Sequence, residues 1–267
     1  MRVYISTDME GTAGVVNWDQ VTPGKPEYER TRLLQIAEVN AAIDGALEAG
    51  AERVFVADLH YSGHNFPAEH LHPEGEFYMG KHPPYTRFPC IEEGFDLMLC
   101  IGYHAMANVP EAILSHTMSG VYMYIALNGK EIGELAMDAL WAGLHDVGVG
   151  MVSGGSAVCA EAKNLLGPDV QTAEVKRGMS RFGGVFMSPE KARVLIRESA
   201  AAAVRKARQN KPSPLKLDPP YTLEMELESQ ELTEKKLSLI AEAERTGTRS
   251  VALTGDDLNR LMFDILV

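Results

Sequence analysis

Cysteine is scarce and poorly placed for cross-linking. The three residues, Cys90, Cys100 and Cys159, are odd in number and never form C-x-x-C, so neither a disulfide framework nor a thiolate zinc site is indicated. A reducing compartment is the corresponding expectation. Positive charge is also short: 25 Lys and Arg stand against 37 Asp and Glu, a net charge of -12. That balance argues against a general phosphate-backbone binder, which needs clustered cations to replace counterions, and no nucleic-acid partner is expected. No apolar run reaches the roughly 20 residues of a membrane span, and the chain opens on a strand-like run instead of a basic segment with an apolar core. The expectation is a soluble cytoplasmic protein with no membrane partner. Internal repeats and low-complexity tracts are missing as well.

What is present is a substantial globular chain, 267 residues with 45% hydrophobic side chains. Short apolar runs alternate with helical periodicity. Val3-Tyr4-Ile5 reads as a strand, Tyr28 to Ala49 as a core-facing helix stopped by Gly50, and Arg53 to Asp58 as a second buried strand. This succession predicts a right-handed crossover in a parallel sheet. Phe95 to Ile101 gives a third strand. Val121 to Leu127 gives a fourth, ending at the hairpin signal Asn128-Gly129, and a helix opens at Glu134 and runs to about His145. Residues 61–94, rich in Pro, Gly and His, show no clear element. From Val149 a second α/β part follows: strands at 149–153 and 170–175, a helix through Leu166, and an Ala-rich helix from Pro189 to about Gln209. Beyond a proline-rich connector come a strand at 223–227, a helix at 234–244, a strand at 251–253 and a last helix capped near 254–256. The fold class is α/β, a mostly parallel sheet with flanking helices. It is read as one catalytic unit, 1–267, subdivided into a metal-binding part, 1–147, and a second α/β part, 148–267.

Chemistry gathers at the strand ends. Asp8 and Glu10 share a face at i and i+2 where the first strand ends, before Gly11. Asp58 and His60 end the second strand, His104 the third, and His116 and Glu134 lie near the fourth. Parallel strands release such residues at one edge of the sheet, where α/β proteins build their sites. A mixed set of carboxylates and imidazoles suits Zn²⁺ or Mn²⁺, and three carboxylates allow one to bridge two ions about 3.5–4 Å apart. Asp58 reads either as a partner for a ligand histidine or as a strand-end or turn acid. Lys176, Arg177 and Arg181 read either as a solvated basic turn or as a clamp for a substrate carboxylate.

The pieces S-T-D-M-E-G at 6–11, A-D-L-H at 57–60, G-Y-H-A at 102–105, S-H-T-M at 115–118 and N-G-K-E-I-G-E-L at 128–135 resemble the M55 peptidases, and V-K-R-G-M-S-R and S-P-E-K-A extend the likeness over nearly the whole chain. The resemblance implies a zinc-dependent D-aminopeptidase acting on short D-amino-acid peptides. It implies two zinc ions on Asp8, Glu10, His60, His104 and Glu134, with His116 catalytic, and a homodecamer of stacked pentamers. The chain departs from the family pattern at Ala57 and Asp138, where asparagine is usual, and at Gly155, where an acid is usual. The residues by themselves also admit a binuclear hydrolase of another amide or a phosphoester, and a non-catalytic metal-binding oligomer.

Overall fold

The computed structural model describes residues 1–265. β1 (Arg2–Thr7) is buried from Val3 onward, and the short α1 (Trp18–Val21) is held by a reciprocal cap between Asn17 and Gln20. α2 (Tyr28–Glu48) then returns the chain to β2 (Arg53–Asp58), parallel to β1 with Thr7 level with Asp58. β3 (Gly75–Tyr78) adds outside β2, whereas β4 (Leu97–Tyr103) pairs with the free side of β1, Thr7 level with Ile101. The carboxyl ends of β2, β1 and β4 thus stand side by side, the arrangement that the crossovers predict.

The hairpin of β5 (Tyr122–Leu127) and β6 (Lys130–Glu131) turns through Asn128 and Gly129, both at positive φ, as a tight N-G turn requires. α3 (Glu134–Gly143) is buried from Leu135 to Gly143, as befits a helix with apolar side chains all round. β7 (Val149–Gly155), α4 (Ser156–Leu166), β8 (Gln171–Ser180), β9 (Gly183–Phe186) and α5 (Pro189–Gln209) follow. The chain ends with β10 (Tyr221–Leu227), α6 (Gln230–Leu239), β11 (Glu244–Arg245), β12 (Ser250–Gly255) and α7 (Leu258–Asp264). α6 begins and ends several residues before the expected 234–244, because Ser229 caps it by accepting from the Leu232 N–H. The last helix is capped by Asp257, just beyond the expected 254–256.

Seven strands form the first sheet in the order β3-β2-β1-β4-β7-β8-β9, parallel except for β9, and five form a second, antiparallel sheet in the order β11-β12-β10-β5-β6. The expected division at 147/148 is therefore not a division between sheets. β7 to β9 extend the first, and β5 and β6 join the C-terminal strands of the second. Alternation along β1 sends Val3 and Ile5 to one face, against Ile36, Val39 and Ile43 of α2 and Ile196 and Val204 of α5. Tyr4 faces the other way, into a core that joins Leu135, Leu140 and Trp141 of α3 to Ile125, Leu223 and Val251 of the second sheet. Among the described residues no helix is long and apolar enough to cross a membrane.

Candidate metal centre

The acid pair lies just past β1, in a loop stapled to β4. Asp8 N–H donates to the Ile101 carbonyl at 2.9 Å and Gly11 N–H to that of Gly102 at 2.7 Å. Gly11 is required by this approach: a Cβ there would sit 2.0 Å from the Tyr103 carbonyl oxygen. The carboxylates of Asp8 and Glu10 are therefore fixed beside the residues that end β2 and β4.

All six residues singled out from the sequence come together. Asp8 Oδ1 is 3.1 Å from His60 Nδ1, and its Oδ2 is 3.3 Å from His104 Nε2. Glu10 Oε2 is 3.2 Å from the same His60 nitrogen, and Glu134 Oε1 is 3.1 Å from His104 Nε2. His116 Nε2 stands farther out, 3.6 Å from Glu134 Oε1, its ring stacked on His104 at 3.9 Å between centroids. Asp8, Glu10 and His104 offer ligand atoms within 4.8 Å of one another, and so do His104, His116 and Glu134.

Each imidazole is oriented through its other nitrogen. His60 Nε2 donates to the Val21 carbonyl at 2.7 Å, His104 Nδ1 to that of Ala105 at 3.0 Å and His116 Nδ1 to that of Leu114 at 2.8 Å. Outward N–H groups satisfied in this way leave the inward nitrogens as lone-pair donors. Of the two readings of Asp58, the structure takes the strand-end turn acid and not the histidine partner. Its carboxylate binds the Asn65 backbone N–H and side-chain amide at 2.6 and 2.8 Å, and so anchors the loop after β2.

Asp8 Oδ2, Glu10 Oε2 and His104 Nε2 are buried and lack hydrogen-bond partners among the described residues. Burial opposes the charge on Asp8, yet the hydrogen bond from His60 and the charge of His104 hold its carboxyl well below the usual range. Glu134 is drawn to about 2 against the same opposition, chiefly by His104. Burial would likewise depress both histidines, but the carboxylates overcome it, raising His60 and taking His104 to about 10. The cluster thus concentrates acceptors on one centre and draws positive charge there, which fits divalent cations that would displace those protons.

Several supporting residues carry no local sequence signal. Lys176 is not a solvated turn residue but is buried beneath the glycine loop, its ammonium donating to the carbonyls of Glu10, Thr12 and Val15 at 2.5, 3.1 and 2.8 Å. Gln35 reaches the Asp8 carbonyl from α2 at 3.0 Å. Arg87, within the unassigned 61–94 stretch, forms a two-pronged pair with the fully buried Asp138, Nε to Oδ1 at 2.6 Å and Nη2 to Oδ2 at 3.0 Å. Tyr103 also donates to Asp138, at 2.5 Å, which ties α3 to the residue before His104. Arg87→Met strands a buried carboxylate and is expected to destabilise the fold by about 3–5 kcal/mol, read from urea midpoints. The double variant with Asp138→Leu should recover most of that loss, since a well-packed apolar pair replaces a buried ion pair at little cost.

Glu161 gives a pH-dependent prediction. Its Oε2 accepts from Met106 N–H at 3.0 Å while Oε1 has no partner among the described residues, and burial pushes its carboxyl from 4.5 to about 7. Because the folded value lies above the unfolded one, this group's stabilising contribution is full below 4.5 and is lost as pH rises through about 7. Urea melts of Glu161→Gln should show a flatter pH dependence across that window, with a gain over the parent at pH above it.

The chain resembles known proteins along its whole length. The model of the M55 peptidase family, described as D-aminopeptidase, matches residues 1–266. A D-aminopeptidase from Bacillus subtilis (strain 168) is 37% identical over 220 residues, which cover 82% of this chain and 78% of the relative. The solved structure of the Zn-dependent D-aminopeptidase DppA from Bacillus subtilis, a self-compartmentalizing protease, superposes with a TM-score of 0.93 at 33% identity, over 100% of this chain and 96% of that one. With the match running across both sheets, the chain belongs to the M55 peptidase family of D-aminopeptidases.

Proposed function

We propose that this protein is an aminopeptidase that holds two divalent cations and releases the N-terminal residue of short D-amino-acid peptides. The observation that carries the two-ion reading is the split of Asp8. One of its oxygens faces His60, which Glu10 also approaches, and the other faces His104, which Glu134 also approaches. Two ligand sets therefore share one carboxylate. The donors are nitrogen and oxygen only, which suits zinc, with manganese as the alternative, and the related DppA is zinc-dependent. Bound there, such ions supply Lewis acidity toward the scissile carbonyl and acidify a water molecule at neutral pH.

The protein's own contribution is orientation and proton transfer. Lys176 and Gln35 hold the Asp8–Glu10 loop by its carbonyls, and three backbone carbonyls fix the imidazoles. His116 is assigned to proton transfer and not to ligation. Its Nε2 is the farthest from the acids, and it lines a cavity of about 190 Å³ with Ser115, Asn108 and Tyr122. From there it delivers a proton to the departing amine. A cytoplasmic homo-oligomer, a decamer of stacked pentamers, completes the reading, in keeping with the self-compartmentalizing nature of DppA.

The test is metal analysis joined to a substrate panel. Two equivalents of metal and hydrolysis of D-aminoacyl p-nitroanilides, abolished by chelation and restored by zinc, are expected. Turnover of a phosphodiester alone would sink the peptidase reading, and retention of metal with no turnover of any substrate would favour a non-catalytic oligomer.

A further inference from the structure

Arg181 occupies the turn between β8 and β9, and that turn is bound to the His116 loop in both directions. Leu114 N–H donates to the Arg181 carbonyl at 3.0 Å, and Arg181 Nη2 donates to the Ser115 carbonyl at 3.2 Å. Close approach of the hairpin fixes the contact: a Cβ on Gly178 would lie 2.0 Å from the Glu111 carbonyl oxygen. The guanidinium sits over the Trp18 ring at 5.8 Å, and Trp18 in turn meets the His116 ring edge-on at 5.2 Å. Arg181 and His116 are thus joined through one aromatic side chain and line the same cavity of about 190 Å³.

The guanidinium of Arg181 contacts the rings of Trp18 and Phe182 but pairs with no acid among the described residues. Among the described residues no carboxylate lies within ion-pair distance of it, although the chain carries a net charge of -12. Of the five N–H groups a guanidinium offers, the Ser115 carbonyl takes one. The remainder form a planar fork suited to a carboxylate.

We propose that Arg181 binds the C-terminal carboxylate of the substrate and makes the enzyme selective for dipeptides with a free acid terminus. This rests on the aminopeptidase reading above and follows from the direction of bond cleavage. Water adds to the carbonyl carbon of the first residue, the C–N bond breaks, His116 gives its proton to the departing nitrogen, and the proton released as the water oxygen becomes part of the new carboxylate restores His116. The second residue therefore leaves on the His116 side. In a dipeptide the nitrogen receiving that proton is separated from a carboxylate by a single Cα, which brings the anion into the cavity shared with Arg181. Each added residue moves the carboxylate by about 3.3–3.6 Å when extended, out of register with the guanidinium.

The experiment compares D-alanyl-D-alanine, its C-terminal amide and D-alanine p-nitroanilide in the zinc-loaded parent and in Arg181→Met and Arg181→Lys. The parent should favour the acid over the amide. Arg181→Met should raise KM for the acid about ten- to a hundredfold relative to the amide and anilide, the range expected for a lost charge-assisted hydrogen bond, whereas any loss through the Ser115 contact should fall on all three substrates alike. Arg181→Lys should recover part of the loss. Equal kinetics for acid and amide in the parent, or equal losses on both in Arg181→Met, would overturn the proposal. The aminopeptidase reading fails separately, if the parent turns over none of the three. Calorimetric binding of acid and amide to a zinc-loaded His116→Ala protein, with and without Arg181→Met, then still decides the role of Arg181. Tighter binding of the acid that vanishes with Arg181→Met supports it, and indifference to the terminal group refutes it.

Discussion

Asp8→Ala is expected to yield a folded protein with no bound metal and no peptidase turnover, whereas Glu10→Ala is expected to retain one equivalent. The asymmetry comes from geometry. Glu10 lies at ion-pair distance from His60 and Glu134 from His104, while Asp8 lies 3.1 Å from His60 and 3.3 Å from His104 through different oxygens. Removing Glu10 leaves His104, Glu134 and Asp8 as an intact set; removing Asp8 breaks both. The fold should survive because the loop is held by its backbone. Asp8 N–H still donates to Ile101, and its carbonyl still accepts from Gln35. Losing one of several crowded carboxylates also relieves like-charge repulsion in the metal-free state. Inductively coupled plasma analysis beside circular dichroism measures both outcomes, and loss of a single equivalent in both variants would refute the bridging assignment.

The clustering of these side chains was legible in the sequence because most of them end short apolar strands. Strands end where apolar runs give way to polar residues and glycine, and in a parallel sheet such ends converge whatever the intervening length. Asp8, His60 and His104 followed from β1, β2 and β4, and Glu134 followed from the helix start after an N-G turn. Lys176 could not be found that way. Ala173 and Val175 alternate inward as a strand requires, but the register slips where β7 passes from Gly154 to Gly155, opposite Glu174 and Lys176, and Lys176 is buried as well. No periodicity encodes that slip. Its partners, the carbonyls of residues 10 to 15, are more than 160 positions away. Arg87 was hidden for a related reason: it lies in a stretch whose order comes from distant contacts such as Asp138, not from local propensity. The two-sheet architecture was missed because β5 and β10 pair across almost a hundred residues, and strand alternation specifies a face but not a neighbour.

His116→Ala is expected to keep its metal and lose about 10²–10⁴-fold in kcat on D-alanyl peptides, the usual scale for a positioned proton donor. The wider 3.6 Å separation of His116 from Glu134, its seat on the cavity wall and the hydrogen bond from Nδ1 to the Leu114 carbonyl all favour a proton carrier. The stacking of His116 on His104 and their shared approach to Glu134 allow the opposite assignment, in which His116 is a ligand. The two readings separate on two measurements. A ligand's removal lowers metal content, whereas a proton carrier's removal leaves it intact. A proton donor also matters only when the leaving group needs a proton, so a D-alanine p-nitrophenyl ester, whose leaving group departs as a stable anion, should be hydrolysed by His116→Ala at close to the parental rate while the peptide is not. Equal losses on ester and peptide with full metal content would instead move His116 to the attack step, as the base that activates water or as the group that stabilises the developing oxyanion. Added imidazole should restore peptide turnover in the space the side chain vacates if proton transfer is its task, because a free base can carry a proton but cannot rebuild a fixed oxyanion contact.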